Sequence, residues 1–572
     1  MRNLFPAGLV ALLFALPAAG QQDPAASFLE SVEVRVIDVD VVVLDADGRP
    51  VRGLTRDDFE LFEDGRAVEI ANFLAYDEEV TVSAAADAAS PAPAAPPAPP
   101  ANAAPSATWV LYLDQERLEQ GPRLEVLRQL SVFVRDSMRP GDRLMVATYD
   151  GGSLRVESPL GTEVAPALAA LDGLTRKRGN VSSTESRRSF VQRQILTVDL
   201  TSRTAADEAQ AILGEIEQIA DEETLRGRQQ VGAARDLLAL LAGLEGRVAI
   251  LYAGAGYESR PAAALYDLWS SKFAALLGPL TTAGASSREL DPRWIEVQAE
   301  YRRLMEAANA GRFTFYALLA GRRGPDISAE TPRDSSLVSA TSAIGASSDL
   351  AQASSLAGLA DETGGRTLVS APDLARRLET VRRDLVTYYS LGYQPEGEEP
   401  GRRRRLEVRL RPPGLRAQVR RSATDSSGEE RAAAATVASL LSDSEPQNAL
   451  GVTVEVGTPA PAANKRSEAL VPVVVRVPLA QVSLLPEAAR HRARLVFHFA
   501  IQDPDGGYRR LEAKPLEFEV PNDKVGVAVG QHVSFRIELA LAPGRYRLGV
   551  GVLDELAGTV AIQTAPVEVA KR

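Results

Sequence analysis

Residues 108–154 constrain the fold most, because two apolar strands flank an amphipathic helix there. The run 109–113 (WVLYL) is unbroken and ends at Asp114, and a second apolar run covers 144–148. Unbroken runs of this length predict strands that are buried on both faces of a parallel sheet. Between them, apolar side chains recur at the three- and four-residue spacing of a helix: Leu124, Leu127, Leu130, Phe133, Val134 and Met138. The segment is therefore predicted to form a right-handed βαβ unit.

The following residues extend this α/β pattern as far as residue 385. Gly151-Gly152 predicts a hairpin turn into a strand at 154–156. The polar run 176–186 is interpreted as a loop. Further helices and buried strands are expected in the order helix 164–174, helices 205–224 and 230–244, strand 246–252, helices 262–277 and 293–310, strand 313–319, helix 349–363, strand 366–369 and helix 372–385. We predict one doubly wound, Rossmann-like α/β domain over residues 108–385.

Two short β-rich segments flank this domain. Residues 28–80 contain alternating strands and the turn Glu63-Asp64-Gly65, and residues 386–421 contain further alternating strands. Neither segment alone has enough strands to bury two sheet faces. We therefore expect the two to pair into one small β-sandwich, with the α/β domain inserted between them.

In this order the residues resemble the VWFA-related exported proteins first described in Acidobacteria, which carry a von Willebrand factor A (VWA) domain. The resemblance rests on the strand that ends at Asp114, on Pro140-Gly141-Asp142 before the second strand, and on two flanking strings. These strings are VLDADGRPVRGLTRDDFELFEDGRAVEIANF at 43–73 and YYSLGYQP at 388–395. The resemblance covers residues 28–421 and implies a binding protein.

The resemblance also implies a divalent-cation site at the carboxyl edge of the sheet. Its pattern is Asp-x-Ser-x-Ser, a Thr from a second loop and an Asp from a third, because hard cations take oxygen ligands. Asp114 keeps the first position, but Glu116 and Leu118 replace the two serines. The third loop reads Ala253-Gly254 and has no carboxylate, and Thr184 is the candidate for the Thr. We predict a degenerate adhesion site with no metal and no other cofactor.

Candidate binding residues remain at this edge, where open α/β sheets place their ligands. They are Asp114, Glu116, Thr184 and Glu258. The simplest interpretation is that these carboxylates are hydrated or cap the following helix. One alternative is that Asp114 and Glu116 hold a cation together with Glu258. Another is a hydrolase that works through carboxylates such as Asp114, Glu116 and Asp150. Against the hydrolase, the chain has no cysteine and all three histidines lie beyond residue 490.

The remaining segments concern export and the C-terminal region. Residues 1–20 have a basic start, an apolar core and small residues at the exit, which predicts a Sec signal peptide. Residues 84–107 are almost entirely Ala and Pro and are interpreted as a linker. Residues 422–448 are interpreted as a second linker that contains one short Ala-rich helical stretch. Short alternating strands over 449–572 predict an immunoglobulin-like β-sandwich.

Composition and topology together define the expected function. The net charge of -12 argues against a nucleic-acid partner, and no later segment is apolar enough to span a membrane in the mature chain. We expect a non-enzymatic protein that is periplasmic or secreted and binds another envelope or extracellular protein. A further alternative is a surface- or carbohydrate-binding protein that acts through the C-terminal sandwich.

Overall fold

The computed structural model describes residues 36–77, 106–115, 118, 120–177, 183–244, 246–277, 291–319, 352–369, 374–395, 401–424, 426–441, 447–461 and 468–570. The signal peptide expected at 1–20, most of the linker expected at 84–107 and the candidate Glu116 lie outside these residues. Two compact units are present, one comprising residues 36–239 and 245–425 and the other comprising residues 426–572 with a short piece, 240–244.

The first unit is built around a six-stranded sheet. Its strands are β5 (Thr108–Asp114), β6 (Arg143–Tyr149), β7 (Leu154–Gly161), β8 (Val248–Gly254), β9 (Phe313–Leu319) and β10 (Thr367–Val369), in the spatial order β10-β9-β8-β5-β6-β7. All neighbours are parallel except β6 and β7. The order reverses between β5 and β8, which is the topology of a doubly wound sheet. The predicted mixed α/β fold is confirmed.

Helices cover both faces of this sheet. They are α1 (Gln120–Ser137), α2 (Val164–Arg176), α3 (Ser183–Thr197), α4 (Ala205–Leu241), α5 (Ala263–Leu277), α6 (Pro292–Ala310), α7 (residues 352–362) and α8 (Leu374–Val386). Trp109 and Leu111 of β5 pack with α1, α2 and α8 in one apolar core. Tyr252 of β8 points to the other face, where its hydroxyl meets Gln230 of α4.

Two local expectations for these helices are wrong. The two helices expected at 205–224 and 230–244 form one continuous α4. The loop expected at 176–186 is also partly helical, since α3 begins at Ser183 and includes Thr184. The sequence STESRRSFVQRQ has almost no amphipathic stripe, so periodicity gave no signal for α3.

The flanking segments pair strand by strand, as expected. Their strands are β1 (Ile37–Leu44), β2 (Phe59–Glu63), β3 (Arg66–Val68), β4 (Ile70–Tyr76), β11 (Tyr388–Tyr393), β12 (Arg403–Leu410), β13 (Arg416–Val419) and β14 (Ser422–Thr424). One sheet has the order β13-β1-β11-β4, and the other has the order β14-β12-β2-β3. Each sheet thus mixes strands from both sides of the α/β region. Val39, Phe59, Tyr389 and Leu406 share the core between them.

The second unit is a β-sandwich with one eleven-residue helix and one short helical turn, Val525–Ala528. The helix is α9 (Gly428–Ala438), and the strands are β15 (Thr453–Val456), β16 (Ala460–Pro461), β17 (Ala469–Pro478), β18 (Leu485–Pro486), β19 (Arg490–Gln502), β20 (Tyr508–Arg510), β21 (Lys514–Pro521), β22 (His532–Leu541), β23 (Gly544–Asp554) and β24 (Thr559–Val569). One sheet contains β15, β16, β17 and β22, and the other contains the remaining six strands. In the described part of segment 422–448, the Ala-rich stretch forms α9, but residues 422–424 belong to strand β14 of the flanking sandwich and not to a linker.

No helix among the described residues is long and apolar enough to cross a membrane.

Candidate functional site

The carboxylate of Asp114 lies at the carboxyl edge of the central sheet, at the end of β5. Its side chain is only 1% exposed. The hydroxyl of Tyr252 donates a hydrogen bond to Oδ2 of Asp114 at 2.8 Å, and the side-chain amide of Gln230 donates another to the same oxygen. The Gln230 amide also donates to the carbonyl of Gly256 at 3.2 Å. Two neutral side chains therefore supply hydrogen bonds where the adhesion-site pattern places a cation.

A row of tyrosine rings, three of them buried, extends from the neighbourhood of this carboxylate. Tyr112 and Tyr252 stack with their ring centroids 5.0 Å apart, and the contacts continue through Tyr257 to Tyr301 at 5.9 and 5.7 Å. Burial is the main reason that the pKa values of Tyr112 and Tyr252 lie above the usual range, with the Asp114 charge adding to the shift. The hydroxyls are therefore protonated at physiological pH, so Tyr252 acts as a hydrogen-bond donor.

The third loop of the pattern is too close to Asp114 to hold an additional carboxylate without a shift. A Cβ on Gly254 would lie 3.1 Å from Cβ of Asp114. Two residues later, Gly256 has φ +104°, and a Cβ there would lie 2.1 Å from the carbonyl oxygen of Gln352. Glycine is required at 256 by both conformation and space. The tight turn brings the Gly256 carbonyl to Gln230.

Glu258 lies in a separate polar cluster further along the same loop. It is 5% exposed, and its Oε2 accepts a hydrogen bond from Gln352 at 3.0 Å. Arg188 of α3 lies 3.9 Å from Glu258 and 2.8 Å from Glu223 of α4. Glu223 in turn accepts a hydrogen bond from the backbone N–H of Ala262. This cluster fastens α3 and α4 to the loop after β8.

The sequence-predicted site residues are thus distributed over different surroundings. Asp114 and Glu258 have different hydrogen-bond partners, and Thr184 lies on the first turn of α3. Asp150 pairs with Arg155 at 3.2 Å at the start of β7. Among the described residues, no group of three or more His, Cys, Asp or Glu side chains is arranged to hold a metal ion.

Sequence reasoning missed the two donors to Asp114. Gln230 and Tyr252 lie 116 and 138 residues away along the chain. Tyr252 alone had a signal, since it is a polar-tipped residue in the otherwise apolar strand β8 at the register position opposite Tyr112. Gln230 had none, because a glutamine in a long helix is ordinarily a surface residue.

The amino edge of the same sheet carries a second group of charges, which bind the flanking sandwich. Arg312, just before β9, donates to both carboxylate oxygens of Asp40 on β1. Arg420, just after β13, donates to the carbonyls of Asn309, Gly311 and Asp38. Burial tends to raise the pKa of Asp40, but the charge and hydrogen bonds of Arg312 outweigh it and hold that pKa below its usual value.

Asp142 from the second motif also has a structural position at the amino edge. It is 2% exposed, and its carboxylate accepts hydrogen bonds from the backbone N–H groups of Ala107 and Arg139, at 2.9 and 3.1 Å. It therefore joins the start of β5 to the turn between α1 and β6. The Pro-Gly-Asp motif is explained by the fold and needs no ligand.

Comparisons with known proteins give no family. No family model matches the chain, and no curated protein matches it. Similar solved structures include an aerotolerance-related membrane protein from Bacteroides fragilis with multiple mutations to serines, at 11% identity over 49% of this chain and 98% of that chain with a TM-score of 0.21. Human COPII-coat protein Sec24c is 10% identical, over 82% of this chain and 45% of that chain, with a TM-score of 0.21. A Bacteroides uniformis beta-glucuronidase is 14% identical, over 20% of this chain and 13% of that chain, with a TM-score of 0.14. Similarity at these scores supports no argument about function.

Proposed function

We propose that this chain is an exported, non-enzymatic scaffold that binds another envelope or extracellular protein. Its VWA-like domain would carry the binding surface at the carboxyl edge of the central sheet and would act without a metal ion. The doubly wound strand order and the motif resemblance around Asp114 support the domain assignment. The signal-like residues 1–20 support export.

One observation carries the metal-free part of the proposal. Oδ2 of Asp114 accepts hydrogen bonds from Tyr252 and Gln230, and the residue is buried. A cation at this carboxylate would have to displace two donors in a desolvated site and find further oxygen ligands. Leu118, at the second serine position, is an apolar core residue with 2% exposure and supplies none.

The hydrolase alternative receives no support from this geometry. It needs two carboxylates that face a common pocket. Asp114 is committed to Tyr252 and Gln230, and Asp150 pairs with Arg155. Neither carboxylate lines the cavity beside Asp40 and Arg312 or the cavity along β2 and β3. We therefore propose that the protein is not an enzyme.

The carbohydrate-binding alternative receives no support either. Sugar binding through the C-terminal sandwich would call for a row of exposed aromatic rings. In the described part of that unit, no Tyr or Phe side chain is exposed. Phe535 instead stacks on Phe497 with the centroids 4.4 Å apart, and Tyr546 is 7% exposed.

Site-specific photo-cross-linking tests the proposed binding surface. A photo-reactive residue would replace Arg155, whose side chain is 61% exposed at the start of β7, in cells that make the protein natively. The matched control replaces Arg409, which is 58% exposed on the flanking sandwich. We expect a discrete cross-linked protein from position 155 only, with the same yield after EDTA treatment. Loss of the product in EDTA would contradict metal-free binding, and no product at 155 would contradict the surface.

A further inference from the structure

Strand β22 forms an open edge of the C-terminal sandwich. All ten of its residues, His532–Leu541, are paired in continuous antiparallel register with β17. Among the described residues, β22 has no strand partner on its other side. An unpaired strand edge presents a row of backbone N–H and C=O groups that another strand can bind.

The other sheet edges of this unit are protected, which sets β22 apart. The edge formed by β15 and β16 is only four and two residues long. Strand β21 contains Pro515 and Pro521, and β24 is covered at Ile562, whose N–H donates to the carbonyl of Gln447. Short strands, prolines and covering loops are the usual ways to block edge pairing. Strand β22 has no proline and no bulge.

The apolar side chains along this edge are incompletely covered. Val533, Phe535 and Ile537 belong to the sandwich core but are only half-buried. Their counterparts on β17, such as Val473 and Val475, are 0% exposed. An additional strand with apolar residues at every second position would complete their burial.

The solvent-facing side chains of β22 indicate which strand would pair with it. Arg536 and Glu538 are exposed, and neither side chain has an ion-pair or hydrogen-bond partner among the described residues. If a second β22 packs antiparallel about a two-fold axis at Ile537, Arg536 lies opposite Glu538 of the copy, and Glu538 lies opposite its Arg536. The same register places Phe535 opposite Leu539 and Val533 opposite Leu541, all on the core face. Opposite charges and apolar pairs directly across a ladder are stabilising.

We propose that β22 is the homodimerisation edge of this protein, pairing with β22 of a second copy in that register. Two-fold interfaces are self-complementary by symmetry, and the order Arg536-Ile537-Glu538 has this property in a single strand. The dimer joins the two β17–β22 sheets into one continuous sheet.

A charge-reversal cycle tests the proposal without touching the core. The protein is residues 21–572, the expected mature chain, and the measurement is sedimentation velocity over a range of concentrations. We expect a species of twice the chain mass. Arg536→Glu and Glu538→Arg should each raise the dimer dissociation constant about tenfold or more, because each reversal creates two like-charge pairs. The double variant Arg536→Glu/Glu538→Arg should restore wild-type dimerisation.

Engineered disulfides report the register directly, since the chain has no cysteine. In the proposed register Ser534 lies opposite Ala540, and both are exposed. We expect Ser534→Cys/Ala540→Cys to cross-link into covalent dimers on oxidation and Ser534→Cys alone to remain uncross-linked. A chain that is monomeric at all concentrations, or a dimer unaffected by both single reversals, would overturn the proposal. Protection of the β22 amides from hydrogen exchange only after another protein is added would also overturn it.

Discussion

The two edges of the central sheet hold largely buried carboxylates in different ways. At the carboxyl edge, Asp114 accepts hydrogen bonds from the uncharged Tyr252 and Gln230. At the amino edge, Asp40 is held by the guanidinium of Arg312 in a two-pronged contact. Neutral donors satisfy the hydrogen-bonding capacity of a carboxylate, whereas a guanidinium also compensates its charge.

The two sets of contacts have different structural roles. The amino-edge contacts join β1 and β13 of the flanking sandwich to residues at the start of β9, so they hold two layers of one unit together. The carboxyl-edge contacts lie within the α/β domain and fix Tyr252, Gln230 and the loop at Gly256 around one oxygen. The amino-edge contacts should therefore contribute more to the stability of this unit. The carboxyl-edge contacts should mainly fix the shape of the proposed binding surface.

The largest effect is expected from Arg312→Met. This change leaves Asp40, which has 11% side-chain exposure, without its main partner. Removal of one partner from a largely buried ion pair leaves an uncompensated charge, so the free energy of unfolding of this unit should fall by about 2–4 kcal/mol. Urea unfolding measures the loss. The matched control is Arg176→Met, which removes a pair with 75% and 60% exposed side chains and should change little. Equal losses of unfolding free energy in Arg312→Met and Arg176→Met would contradict the proposed role of the Arg312–Asp40 contact in joining the two layers.

A smaller effect is expected at the carboxyl edge. Asp114→Ala leaves the Tyr252 hydroxyl and the Gln230 amide without their acceptor, which should cost about 2 kcal/mol of unfolding free energy. Tyr252→Phe removes one donor and should cost about 1 kcal/mol. Because the two changes disrupt the same hydrogen bond, the double variant should lose less than the sum. Strict additivity in urea unfolding would show that the Tyr252–Asp114 bond contributes nothing.

The pH dependence of the unfolding free energy should distinguish the Asp40–Arg312 contact from the contributions of other carboxylates. The pKa of Asp40 lies below its usual value in the folded state, so its contribution is present above the unfolded-state pKa of about 3.9. It is lost as the pH falls through the folded-state pKa. Arg312→Met lacks this contribution, so its deficit relative to the wild type should shrink steadily below about pH 4. A deficit that is constant down to pH 2 would exclude Asp40 as its source.

The fold was largely predictable because its signals are local. The apolar runs at 109–113 and 144–148 correspond to β5 and β6, and the hairpin turn at Gly151-Gly152 leads into β7. Neither flanking segment has enough strands to bury two sheet faces alone, which indicated that the two segments pair with each other, and they do. Helix α3 was not predicted because its sequence has no clear apolar stripe. Its stabilisation comes from tertiary contacts, such as the burial of Val191 and Ile195 and the ion pair of Arg188 with Glu223.

The site was predictable only in part. A strand that ends in aspartate placed Asp114 correctly at the carboxyl edge. The identity of its partners depends on how α4 and β8 meet in space, and no spacing in the sequence records that. Glu258 was grouped with Asp114 because both follow buried strands, but side-chain direction after a tight turn at Gly256 sends it to Gln352 and Arg188 instead.

Calorimetric titration with Mg²⁺, Ca²⁺ and Mn²⁺ tests the central claim most directly. The samples are residues 21–572 of the wild type and of Asp114→Ala, with equal secondary structure checked by circular dichroism. Neither protein should give binding heat, because Oδ2 of the buried Asp114 already accepts hydrogen bonds from Tyr252 and Gln230. Micromolar binding in the wild type that is lost in Asp114→Ala would contradict it and would show that the edge is a metal-dependent adhesion site.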